Sequence, residues 1–239
     1  MSRRWAERRR RDVYWRTAKK MGYRSRAAFK LIQMDEKYRV FDGVKRVADL
    51  GAAPGGWLQV AAEAVGSDGV VVGADLKPIE PLDLPNVRTI MGDITDPRVV
   101  EEAGRLLGGP ADLVLSDASP NVSGIWEVDH ERQMRLAWAS LRAAEELLRA
   151  GGNAVFKLFE GPEVPRFVRA VRERFGFVKL TRPKATKEGE LGDIRGREGL
   201  SGGGYQNLLL RALLSASIIS SKSLSVILPS DSRTHSASS

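Results

Sequence analysis

Lys157 interrupts the apolar run Ala154-Val-Phe-Lys-Leu-Phe159, whose composition predicts a buried strand in the middle of a sheet. A solvated charge is hard to arrange there, and buried lysines are rare unless paired. The amine should therefore reach the end of its strand and meet Asp117, which follows the apolar Leu113-Val-Leu-Ser116. A structural ion pair would satisfy both groups, but a paired charge in a ligand crevice is also a functional candidate. A third stretch, Arg46-Val-Ala-Asp-Leu-Gly-Ala-Ala-Pro-Gly-Gly-Trp57, reads as a strand, a glycine-rich turn and the start of a helix. Glycines let the backbone approach a ligand closely, and a helix start presents N–H groups without intrahelical partners. A nucleotide-like ligand fits such a turn. The spacing is neither Gly-x-Gly-x-x-Gly nor a Gly-Lys-Ser/Thr loop, so neither NAD nor ATP is favoured.

Positioning these groups requires alternating strands and helices. The apolar patterns predict strands over Val44 to Leu50, Gly69 to Asp75, Val87 to Met91, Ala111 to Ser116, Asn153 to Leu158 and Phe177 to Thr181. Helices are predicted over Ser25 to Tyr38, with Ser25 as N-cap, and over Trp57 to Ala64, Pro97 to Leu107, His130 to Ala150 and Val164 to Phe175. That alternation implies an α/β fold with a mostly parallel central sheet and helices on both faces, with ligands beyond the carboxyl ends of the strands. Acidic residues cluster at those ends. Asp75 closes the second strand, where a carboxylate can accept hydrogen bonds from both hydroxyls of a ribose. Asp93 follows the third, placed either to meet an adenine amino group or to cap the helix near Pro97. Asp117 would lie beside the glycine-rich turn. Lys30, on the first long helix, reads on spacing alone as a solvent-facing charge.

Composition narrows the chemistry. The 239 residues suffice for one α/β domain with short extensions, and the absence of cysteine excludes disulfides, thiolate metal sites and cysteine nucleophiles. With only His130 and His235 as histidines, no metal centre is expected. No run resembles a membrane span or a signal peptide. The formal charge of +8 is concentrated at the start: residues 1–26 hold eleven Lys or Arg against Glu7 and Asp12. Trp5, Tyr14, Trp15 and Tyr23 are interleaved with them, a combination suited to nucleic acid through phosphate pairing and base stacking. A basic arm over 1–24, a single domain over 25–188 and an aberrant, disordered tail over 189–239 are the expected divisions, in a monomeric, cytoplasmic protein.

Asp49 with the Gly51 to Gly56 turn resembles the first motif of S-adenosylmethionine-dependent methyltransferases. Together with Asp12-x-Tyr14, Gly22-Tyr-Arg-Ser-Arg-Ala-Ala-Phe-Lys-Leu31, Ser116-Asp-Ala-Ser-Pro-Asn121 and Phe156-Lys-Leu158, it makes the chain similar to the FtsJ/RrmJ family of ribosomal RNA 2′-O-methyltransferases over about residues 12 to 188. The resemblance implies a Rossmann-like methyltransferase domain over 25–188 and S-adenosylmethionine contacts at Gly55, Trp57, Asp75, Asp93 and Asp117. It also implies a catalytic Lys-Asp-Lys-Glu set matched here by Lys30, Asp117 and Lys157, with Lys157 as base. The implied substrate is the 2′-hydroxyl of a uridine ribose in large-subunit ribosomal RNA. Relatives acting on tRNA or the mRNA cap, or a non-catalytic RNA-binding assembly factor, are the alternatives.

The family's fourth catalytic residue, a Glu in a Ser-Ser-Glu-x-Tyr strand, is missing after the matching turn Arg182-Pro-Lys-Ala-Thr186. Composition then changes: residues 201–239 contain twelve serines, against seven in the first 200. Back-translated with permitted codons and read one nucleotide later, Glu190 to Ser201 yields Ser-Ser-Glu-Ile-Tyr-Val-Val-Ala-Arg-Ala and a stop. A frameshift near Glu188 to Glu190 is the expectation. As written, the chain is expected to lack the final antiparallel strand.

Overall fold

The computed structural model describes residues 12–185 and the backbone of Tyr205–Arg211. Its elements are α1 (Val13–Lys20), α2 (Ala28–Tyr38), β1 (Arg46–Leu50), α3 (Gly56–Val65), β2 (Val70–Asp75), β3 (Val87–Met91), α4 (Pro97–Leu107), β4 (Ala111–Ser116), α5 (Trp126–Leu147), β5 (Leu148–Phe159), α6 (Val164–Arg172), β6 (Phe177–Thr181) and β7 (Tyr205–Arg211). The strands lie in the order β3-β2-β1-β4-β5-β7-β6. The first five are parallel, and β7 runs antiparallel to both its neighbours. This is the Rossmann-like, mostly parallel sheet that the strand–helix alternation predicts.

Apolar side chains on successive strand residues explain the two layers. Ala48, Leu50, Val72, Val114 and Phe156 point to one face and pack with α4, α5 and α6. Val47, Val71, Leu113, Leu115 and Val155 point to the other and pack with α2 and α3. Because both faces are covered, β4 is buried along its whole length, as parallel strands require. Burying a side chain such as Phe156 contributes about 1.5–3 kcal/mol.

Three expectations are corrected. α2 begins at Ala28, with Ala27 at the cap position and no side-chain cap bond. Ser25 is instead turned toward Gly56, where a Cβ would sit 2.2 Å from its hydroxyl. α5 starts at Trp126 rather than His130, because Glu127 and Asp129 occupy its first turn, where the helix dipole favours negative charge. It ends at Leu147 because β5 follows without a loop. Third, Tyr205–Arg211 does form an antiparallel strand, inserted between β5 and β6. The proposed frameshift point itself lies outside the described residues.

The end of the basic arm is helical. Asp12 caps α1 by accepting from the Trp15 N–H (3.1 Å) and pairs with Arg26. Arg26 also donates to the Ala185 carbonyl (2.5 Å). Arg24 donates to the carbonyls of Glu80 and Pro81, each at 2.5 Å, and its N–H to Gln59 Oε1 at 2.8 Å. These bonds tie the chain before α2 across the mouth of the glycine-rich turn. Among the described residues no helix is long and apolar enough to cross a membrane.

Candidate active site

Sheet register brings the chemistry-bearing residues to one end. Leu50 pairs with Ala74 and Ser116, Ser116 with Phe156, and Asp75 with Met91. Asp49, Asp75, Asp93, Asp117 and Lys157 therefore converge where the parallel strands release their chains.

At the centre, Lys157 Nζ donates to the Asp117 carbonyl oxygen (2.7 Å) and lies 3.1 Å from Asp117 Oδ1. The lysine side chain is 8% exposed and the aspartate 19%, so solvent screens the pair weakly. Burial alone would raise the Asp117 carboxyl, but the ammonium groups of Lys157 and then Lys30 outweigh it and hold the group below the usual carboxylate range. Lys30 is not the solvated charge its helical spacing suggested: it is 5% exposed and close enough for Asp117 to feel its field. The sequence-predicted trio is thus assembled electrostatically.

A cleft beside this pair is lined by Ser25, Asp49, Gly51, Ala53, Gly56, Trp57 and Asp117, among others. Asp49 is fully buried, and neither of its carboxylate oxygens has a hydrogen-bond partner among the described residues. Burial first, then the negative charges of Asp117 and Asp75, push its carboxyl well above the ordinary value. Such a group seeks a cation or a donor. Gly51 (φ +79°) packs so tightly against the chain leaving β4 that a Cβ would lie 2.5 Å from Ala118 Cα. Asp75 accepts from the Ala53 N–H (2.9 Å) and the Lys77 N–H (2.8 Å). Its carboxylate holds the turn in shape while keeping lone pairs for ligand hydroxyls.

The remaining predicted residues divide. Gly55 takes φ +108° at the start of α3, a conformation that favours glycine. The Trp57 indole N–H is spent on the Ala27 carbonyl (2.8 Å) and its ring is buried, so only its place in the first turn of α3 is open to a ligand. Asp93 accepts from the Thr95 N–H (2.8 Å). The cap of α4 is Asp96, not Asp93, and Asp93 is not among the residues that line the cleft. The sequence placed Asp49 within the glycine-rich motif without giving it a contact, and read Ser25 only as a cap; Ser25 reaches the cleft through the fold of α2 onto α3.

S-adenosylmethionine fits these residues. Its ammonium would answer the orphaned Asp49, its carboxylate the N–H groups at the start of α3, and its ribose the Asp75 carboxylate. No group of three or more metal-binding side chains occurs among the described residues.

A model of the FtsJ-like methyltransferase family matches residues 23–190. The ribosomal RNA large subunit methyltransferase E of Methanothermobacter thermautotrophicus is 46% identical over 188 residues, covering 79% of this chain and 89% of its own. A solved structure described as a ribosomal RNA methyltransferase, from Plasmodium falciparum, superposes with a TM-score of 0.66 at 27% identity, covering 80% of this chain and 99% of that one. Aeropyrum pernix fibrillarin, solved with S-adenosyl-L-methionine, shares the fold with a TM-score of 0.52 at 19% identity, over 79% and 75% of the two chains.

Proposed function

The chain belongs to the FtsJ-like methyltransferase family, and from that premise we propose that it methylates a ribose 2′-hydroxyl in large-subunit ribosomal RNA, a uridine being the expected target. The methyl group is supplied by S-adenosylmethionine as an electrophilic sulfonium methyl. The observation that carries this reading is the Lys157–Asp117 pair at 3.1 Å, placed beside the glycine-rich turn and under the field of Lys30.

A ribose hydroxyl is a weak nucleophile and must lose its proton as the new carbon–oxygen bond forms. Lys157 Nζ receives that proton. The ammonium so formed is held by the Asp117 carbonyl and carboxylate, which also aim the amine before reaction. Lys30 works in the opposite sense in the resting site: a neighbouring cation favours the neutral, proton-accepting form of Lys157. Gly55 and Asp93 are assigned to the cofactor's amino-acid end and base respectively, and Trp57 contributes its backbone. Held in line, the two reacting atoms gain the advantage of a pre-oriented encounter.

The reading goes with a location in the cytoplasm, where ribosomal subunits would be met. The basic arm, ending in α1 with Lys19 over the Trp15 ring at 5.6 Å, is assigned to RNA contact. A monomer satisfies the chemistry, since all named groups come from one chain. The test is methyl transfer from labelled S-adenosylmethionine to purified ribosomal subunits and to bulk tRNA. Label in large-subunit RNA supports the reading. Label in tRNA moves the substrate, and cofactor binding without transfer to either RNA favours an assembly factor.

A further inference from the structure

Gln133, on α5, is 1% exposed. Its Nε2 donates to two backbone carbonyls, Ala118 O at 3.2 Å and Lys157 O at 3.1 Å. One belongs to the chain leaving β4, immediately after Asp117; the other belongs to the residue whose amine contacts Asp117. Two carbonyl acceptors fix which end of the amide carries the hydrogens, and both hydrogens are used. Four residues earlier on the same helix face, Asp129 accepts from the Ser123 N–H (2.7 Å) and the Gly124 N–H (3.0 Å). α5 thus grips the loop after β4 at its near and far ends, and at Gln133 the same side chain also reaches β5.

We infer that Gln133 is a positioning residue for methyl transfer, its side-chain amide tying the exit of β4 to β5 and so holding the Lys157 amine against Asp117. The two links close a ring: the Lys157 ammonium donates to the Asp117 carbonyl, while one amide joins the carbonyls of Ala118 and Lys157. Slack in the backbone link becomes error in where the amine sits, and a misplacement of about 1 Å costs on the order of a hundredfold in rate. Glutamine suits the place. An ionised glutamate would set acceptors against two carbonyls, asparagine is one methylene short, and methionine has the volume but no donor. The inference rests on Lys157 acting in the reaction.

The test compares the parent protein with Gln133→Met and Gln133→Asn, with Lys157→Met as control. Methyl transfer is read alongside the titration midpoint of the Lys157 side chain, followed by carbon-13 NMR of labelled lysine and assigned by the signal that Lys157→Met removes. Gln133→Met is expected to lower kcat by about ten- to a hundredfold with KM for the cofactor unchanged. The Lys157 midpoint should move, as the ammonium's contacts with Asp117 loosen. Gln133→Asn should fall between. Parental kcat and an unmoved midpoint in Gln133→Met overturn the inference. So does a loss of rate that only tracks the folded fraction, or loss of the fold in both variants, since either assigns the amide a structural role. Parental activity in Lys157→Met removes the lysine mechanism itself, a failure told apart because it does not depend on Gln133.

Discussion

Leu50 and Ser116 are partners across the β1–β4 ladder, so the two strands release their chains at one level and Gly51 comes to rest on Ala118. The approach leaves no room for a side chain: a Cβ would be 2.5 Å from Ala118 Cα, and φ is +79°. Gly51→Ala is therefore expected to destabilise the fold by about 1–3 kcal/mol and to weaken S-adenosylmethionine binding at least tenfold. Urea denaturation and calorimetric titration measure the two effects.

Lys157→Met keeps the bulk of the side chain and removes the amine. Methyl transfer is expected to fall by a factor of about 100–10,000, the range that general-base groups supply. Cofactor affinity should stay within a few-fold, because the lysine's contact is with Asp117. Single-turnover assays with saturating cofactor separate the two, and near-parental turnover would exclude the lysine as base.

Asp49 is expected to be a liability in the empty protein. Its folded carboxyl is held well above the ordinary value by burial and by Asp117 and Asp75. Its contribution to stability is thus full below the unfolded value and is lost as pH rises through the folded one. Asp49→Asn should raise stability at neutral pH by about 1–3 kcal/mol while weakening cofactor binding. In the parent, binding should release a proton from Asp49, seen as a dependence of the calorimetric heat on buffer ionisation enthalpy. No such dependence, with unchanged affinity in Asp49→Asn, would count against its role.

His130 has the opposite sign. It is 4% exposed, stacked on Trp126 with ring centroids 5.2 Å apart, and its ring nitrogens lack partners among the described residues. Burial lowers its pKa below 6.5, only partly opposed by Glu163. The unfolded chain therefore takes up the proton first, and stability falls as pH drops from about 6.5 through the folded value. Thermal unfolding between pH 7 and 5 should show this fall, and His130→Leu should flatten it.

A chain ending in Ser-Ser-Glu-Ile-Tyr-Val-Val-Ala-Arg-Ala after the Arg182 to Thr186 turn is expected to exceed the chain as written in turnover by about a hundredfold or more, the scale of a lost catalytic group. Gene sequencing through Glu188 to Glu190 checks the frame directly, and equal turnover of the two forms would argue against the replacement strand.

Much of this was legible in the sequence for physical reasons. The apolar runs that end at Asp75 and Asp117, and the one that Lys157 interrupts, could only be strands of a covered sheet, and a lysine within one had to find a carboxylate. β3, α4, β4 and β6 match their predicted limits because chain breakers or abrupt polarity changes bound them. What was not legible depended on tertiary packing. Helical spacing leaves Lys30 looking solvated, since nothing local reveals that α2 lies over the crevice. Ser25 looked like a cap because serine before an apolar helix usually is one. Gln133 gave no signal at all, for its two acceptors are backbone atoms far along the chain.

The strand order carries a consequence for synthesis. β7 follows β6 in the chain yet sits between it and β5, so during translation the flank of β5 that carries Lys157 stays open until nearly the whole polypeptide has emerged. β6 has no strand to join before that moment. A nascent chain that stops early can form β1 to β4 with their helices, but presents an unpaired edge of β5 beside Lys157. Such truncated products would invite edge-to-edge association, so the last stretch of synthesis supplies the strand that closes this edge and joins β6 to the sheet.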